Sequence, residues 1–237
     1  MLFFYLITAK LYLWGVKSRY VLPLLFFGLQ ALAQQAIDSL AYREDQFYLD
    51  VNLLLQANDI DNFRQNGFSR SIHFGFLRDI SLNKNGNRAL ALGIGYGYQR
   101  LVNTLNIDKE DGLYVYNIPS HSRSLSNVFS YHKLQFPIEL RWRTSTATDF
   151  DFWRVYLGYR LSYQFAARYH PFFGPDFRLV DQLTPWQHSF GVSTGYGSWN
   201  LRLAYEIHPL LNQEIQLETG ARPRIYPIHL GLIFYFL

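Results

Sequence analysis

Apolar and polar residues alternate in eight long segments after residue 45, and the last segment ends beside the C-terminus. Residues 199–208 show the pattern: Leu201, Leu203, Tyr205 and Ile207 share one face, while Asn200, Arg202, Ala204, Glu206 and His208 share the other. Successive side chains of a strand point to opposite sides, so such a segment has one greasy face and one ionic face. The spacing predicts strands over 46–58, 68–80, 88–101, 131–143, 152–166, 186–198, 199–211 and 224–236. A soluble sandwich also alternates, but eight long copies with charges on the hidden face fit a closed barrel in lipid better. Hydrocarbon offers no partners to backbone N–H and C=O groups, so strands that cross it must close on themselves. The expected fold is all-β: an eight-stranded antiparallel transmembrane up-and-down β-barrel over residues 46–237.

Connection lengths point the same way. The links after strands two, four and six are short: 82–87 with its Asn85-Gly86 turn signal, 144–151, and the tight turn at 197–199. The links after strands one, three, five and seven are longer, above all 102–130, 167–185 and 212–223. Outer-membrane barrels have short periplasmic turns and longer outer loops, so both termini are expected in the periplasm. Trp142, Trp153, Trp186 and Trp199 fall near strand ends, where amphipathic rings favour the lipid–water boundary. Leu113 to Ile118 alternates inside the longest loop and suggests a hairpin beyond the membrane.

The net charge of +4 invites a nucleic-acid reading. Three of the 22 basic residues, Lys10, Lys17 and Arg19, lie within residues 1–33; the remaining 19 face 18 acids, a net +1. No basic cluster remains, and nucleic acid is not an expected partner. Lys17-Ser-Arg19, the apolar run Val21 to Leu29 and Ala31-Leu32-Ala33 form a secretory signal with cleavage after Ala33. Residues 1–16 are an extra apolar stretch that a mis-assigned start would explain, and 34–45 read as a short periplasmic segment. The expected address is the outer membrane, with outer-membrane lipid and the barrel-insertion machinery as first partners. Cysteine is absent, so no disulfide framework or thiolate chemistry is available.

The inward face carries Asp50, Asp79, Glu139 and Glu206 against Lys133, Arg141, Arg143, Arg154, Arg160 and Arg202, joined by His73, His208 and His229. An eight-stranded barrel is only wide enough to be filled by its own side chains. Buried ions must then be paired, because an isolated charge in low dielectric costs several kcal/mol. A plugged lumen with an internal ion lattice is the expectation, and a narrow path for ions or small solutes is the alternative. The seven histidines show no compact metal-ligand spacing and no G-x-S-x-G elbow occurs, so neither metal nor cofactor is expected. One constellation is a low-ranking catalytic candidate: Ser130 and His132 should share the lipid-facing side at the outer end of strand four. Lipid A deacylases place a serine and a histidine on the outside of a small barrel, in the opposite order. A serine hydrolase also needs an acid to orient its histidine, and no acid falls on the adjacent outward faces.

Ser71-Ile-His-Phe-Gly-Phe76, Leu134-Gln-Phe-Pro-Ile138 and Val155-Tyr-Leu-Gly158, with the order of strands to the C-terminus, resemble the small outer-membrane barrels of Bacteroidota. These include the PorT-like proteins of type IX secretion and gliding. The resemblance implies a non-enzymatic structural or interaction barrel, an accessory of protein secretion with secretion-machine proteins as partners, and no catalytic residues. A lipid A-modifying hydrolase is the third reading.

Overall fold

The computed structural model describes residues 45–83, 85–110, 112–119, 126–144, 153–196 and 199–236. The expected signal peptide, the segment up to residue 44 and most of two short turns, at 145–152 and 197–198, lie outside them.

Eleven strands occur among the described residues: β1 (Gln46–Asn58), β2 (Arg70–Ser81), β3 (Arg88–Asn103), β4 (Asn106–Glu110), β5 (Leu113–Asn117), β6 (Asn127–Arg143), β7 (Trp153–His170), β8 (Phe177–Arg178), β9 (Trp186–Tyr196), β10 (Trp199–Glu206) and β11 (Ile225–Phe236). Eight of them form one antiparallel ring, β1-β2-β3-β6-β7-β9-β10-β11, which closes where β11 pairs with β1 from Phe47↔Phe236 to Asn58↔Ile225. This is the expected eight-stranded barrel. β4 and β5 form the hairpin expected within the longest loop.

The alternation sets the two faces. Leu201, Leu203 and Tyr205 are exposed on β10 while Asn200, Arg202 and Glu206 are buried, and every other barrel strand repeats the pattern. Trp142, Trp153 and Trp199 ring the end with the short turns, and Tyr163 with Trp186 mark the other. Ten residues of β7 separate Trp153 from Tyr163. At about 3.3 Å per residue and a tilt near 40° they span roughly 25 Å, the height of an apolar barrel belt.

Three strands run well beyond their expected ends, for one reason. β3, β6 and β7 run on past the belt, to Asn103, from Asn127 and to His170, because their tips enter an apolar core that the alternating pattern does not reveal. Leu101, Leu105, Phe129, Tyr169, Leu179 and Leu210 are among its fully enclosed members, and they come from the strand tips and the long connections. Hydrogen bonds tie these connections together. Thr104 and Arg64 join the first and second long loops, with Arg64 N–H to Thr104 Oγ1 at 3.0 Å. The Tyr116 hydroxyl donates to Gln182 Oε1 at 2.8 Å, and Glu218 N–H donates to Tyr116 O at 3.0 Å. Burial pushes the Tyr116 phenol above its ordinary value of 10.0, so this hydroxyl keeps its proton, and the hydrogen bond it donates, into alkaline solution. The long loops are therefore one folded cap.

β10, by contrast, stops at Glu206 rather than residue 211. Pro209 has no N–H to give a ladder, and Leu210 and Leu211 turn into the cap core, both nearly inaccessible.

A bulge breaks the β6–β7 register. His132 faces Ala166 but Lys133 faces Gln164, which leaves Phe165 without a residue opposite. Below the bulge the even-numbered residues of β7, such as Arg154 and Arg160, point inward; above it Ala167 and Tyr169 do. A one-residue slip moves every later side chain to the other face, so Arg168 and His170 are turned outward.

Candidate functional site

Two groups of polar side chains have the geometry to do chemistry or hold the fold: the ions inside the barrel, and a serine outside its rim.

The interior ions form three linked tiers. Nearest the short turns, Arg141 donates to Asp79 Oδ1 at 3.0 Å and to Glu139 Oε2 at 3.1–3.2 Å. Its guanidinium also lies 4.9 Å from the Tyr156 ring centre and 5.2 Å from that of Tyr235. Arg143 donates to Asp79 Oδ2 and to the Gly86 carbonyl, both at 2.7 Å. In the middle tier Asp50, fully buried, receives Arg160 at 3.2 Å and has Arg202 Nε at 3.5 Å and His73 Nδ1 at 3.1 Å. In the third tier Glu206 takes Lys133 at 2.5 Å, His229 Nε2 at 2.9 Å and Gln99 at 3.2 Å. Arg202 reaches from Asp50 towards Glu139, and Gln99 links Glu206 to His73, so the tiers are joined. Arg154 is buried near the short-turn end, 7% exposed.

Apolar groups lie at both ends of this lattice. Tyr48, Leu77, Tyr156, Ile233 and Tyr235 pack together on the short-turn side, and the cap core covers the other. Small residues make the fit close. A Cβ on Gly95 would run into the Tyr48 hydroxyl and the Phe74 carbonyl, and one on Gly97 would come 2.6 Å from the His73 ring.

Of the inward residues expected from sequence, all but His208 lie in the lumen, each less than 9% exposed. The expectation fails for His208 because β10 has already ended. It is half-buried outside the sheet, its ring 4.8 Å from that of His188, whose Nδ1 meets the Tyr159 hydroxyl at 2.6 Å.

On the outside, Ser130 and His132 do share the lipid-facing side, but they are not partners. The Tyr96 hydroxyl lies 2.5 Å from His132 Nδ1, and the Tyr98 and Phe165 rings flank the imidazole. Ser130 is instead met by the histidine that the bulge swings outward: its Oγ lies 3.1 Å from His170 Nε2. The other nitrogen of that ring, Nδ1, lies 2.6 Å from Asp176 Oδ2. Beyond β7 the chain turns back through Pro171 to Pro175, with Gly174 at φ +101°, and β8 runs beside β7 with Arg178 opposite Arg168. That reversal brings in the acid. Sequence periodicity missed both residues, since His170 sits beyond the expected strand and its facing depends on one skipped residue. A groove of about 520 Å³ opens here, lined by Ser130, His132, Ala166, Arg168, Asp176 and Arg178 among others.

Fold and site define a class: a small, closed, lipid-facing barrel with a self-filled lumen. The model of the outer membrane protein beta-barrel domain matches residues 33–218. The chain belongs to that family and is an outer-membrane β-barrel protein. Among solved structures it is similar to Ail, the attachment invasion locus protein of Yersinia pestis, determined in complex with the heparin analogue sucrose octasulfate. The two are 11% identical with a TM-score of 0.37, covering 81% of this chain and 99% of that one. No curated protein matches the chain.

Proposed function

We propose that this protein is a sealed outer-membrane anchor whose part in export is docking rather than transport, as an accessory of a protein-export machine of the PorT-like, type IX kind. One observation carries the reading: the lumen is occupied by its own bonded ions and covered by a folded cap, which leaves surfaces rather than a passage as the working parts. A pore for ions or small solutes would have to break that lattice. The sequence resemblance over strands two, four and five supplies the export role. Affinity capture of a tagged chain from outer membranes in mild detergent is expected to bring down export components; recovery of the barrel alone would count against the role.

In this reading the termini and short turns face the periplasm and the cap faces outward, and outer-membrane lipid and the insertion machinery are the barrel's first partners. The chain has no cysteine, so introduced thiols report cleanly. A membrane-impermeant maleimide should label Thr219→Cys, in the cap, on intact cells, and label Asn85→Cys, in a short turn, only after permeabilisation. The reverse pattern would turn the proposed orientation over.

A further inference from the structure

We infer that Ser130, His170 and Asp176 form a serine esterase site on the outer wall of the barrel, acting on acyl esters of anionic amphiphiles at the membrane boundary. The arrangement is the one nucleophilic serine chemistry requires: a hydroxyl on one imidazole nitrogen and a carboxylate on the other. The 3.1 Å and 2.6 Å contacts place the proton of the hydroxyl on the path to Nε2 and hold Nδ1–H on Asp176. The Ser130 hydroxyl has a second acceptor, the Arg168 carbonyl, at the longer distance of 3.4 Å. Asp176 is a positioning residue: its carboxylate selects the tautomer whose Nε2 is free to accept.

The step balances without any co-reactant except water. Ser130 Oγ bonds to the ester carbonyl carbon as its proton passes to His170 Nε2. The tetrahedral adduct collapses, the C–O bond to the alcohol breaks, and the leaving oxygen takes that proton from Nε2. Water then adds to the acyl-serine, giving up a proton to the same nitrogen; this adduct collapses with cleavage of the bond from acyl carbon to Ser130 Oγ, Oγ takes the proton back from Nε2, and a carboxylic acid leaves. Nothing is oxidised or reduced.

The surroundings select the substrate. The aromatic groups beside His132, from Tyr96, Tyr98 and Phe165, lie on the lipid-facing wall just below Ser130, where acyl chains meet polar groups. Arg168 and Arg178 line the same groove, are both exposed, and bring positive potential to the developing oxyanion and to a phosphate or carboxylate on the substrate. The groove lies outside the sealed lumen, and Ser130, only 8% exposed, is among its lining residues, so an ester has to seat within the groove to meet the hydroxyl.

The test uses the full mature chain, refolded in detergent, with heat-modifiable gel migration showing that each variant is a closed barrel. A fluorophosphonate should form a covalent adduct on the Ser130 peptide, read by mass spectrometry. Ser130→Ala should abolish the adduct, and His170→Ala should slow it by about 100-fold or more, the range for loss of a general base. Asp176→Asn should slow it less, and His188→Ala, an outward histidine that does not line the groove, should leave it unchanged. No adduct on the folded wild type, an adduct that survives Ser130→Ala, or one indifferent to His170→Ala overturns the site. In mixed micelles, fatty acid should be released from phosphatidylglycerol about tenfold faster than from phosphatidylcholine, a gap that narrows in Arg168→Gln/Arg178→Gln. Equal rates, or release from neither, overturn the proposed substrate class.

Discussion

Replacing Asp50 by Asn is expected to be the most destabilising single-atom exchange in the barrel. The new side chain keeps the shape but removes the charge that Arg160 and Arg202 share, at 3.2 Å and 3.5 Å in a fully buried position. Breaking a buried ion pair by removing one partner costs about 3–5 kcal/mol, because the other charge is left uncompensated in a low dielectric. Glu139 does not cover the loss: it is 3.9 Å from Arg202 and already holds Arg141. The measurement is urea unfolding of the vesicle-inserted barrel, followed by the fluorescence of its tryptophans. Arg160→Gln on the Asp50→Asn background should recover part of the loss, since it removes one of the stranded cations. A cost for Asp50→Asn below about 1 kcal/mol would mean that the lumen ions are individually hydrated and that the tiers are not a lattice.

The second large effect is on the opposite face. Leu203 points outward at the middle of the belt, level with Leu230 and Leu53 on the neighbouring strands, and is 49% exposed. Leu203→Arg should destabilise the inserted barrel by about 2–4 kcal/mol, the cost of a charge at the bilayer midplane on a lipid-facing strand. Leu113→Arg is its control. Leu113 is more exposed still, 73%, but lies in the β4–β5 hairpin of the cap, where the same exchange should cost almost nothing. The contrast is specific to a membrane solvent: in water both positions are surface leucines and neither substitution should matter. Equal, small effects in vesicles would remove lipid from that face.

These two substitutions rest on parts of the molecule that the chain declares at very different levels. Strand identity, facing and count are local properties: Leu203 outward and Arg202 inward follow from period two, and seven neighbours repeat the rule. Which acid meets which base is not local. Asp50 and Arg160 lie 110 residues apart, and their contact depends on the barrel's closure and stagger. The cap hid for a related reason. Its core draws single residues such as Leu105, Leu179 and Leu210 from separate loops, so no one segment shows a periodic signature.

The Ser130 site marks the limit most clearly. Its serine was visible as an outward residue near a strand end, and the neighbouring His132 was the natural partner by spacing. The bulge at Phe165 instead turns His170 to the outside, and the reversal through Gly174 returns Asp176 to its ring. Amino-acid order alone determined a lipid-facing, ion-filled barrel, because alternation is written residue by residue into the strand's geometry. Only the tertiary structure decided the ion partners, the sealed cap and the serine's histidine, because each depends on how distant strands align, and a shift of one residue in that alignment changes the face a side chain occupies.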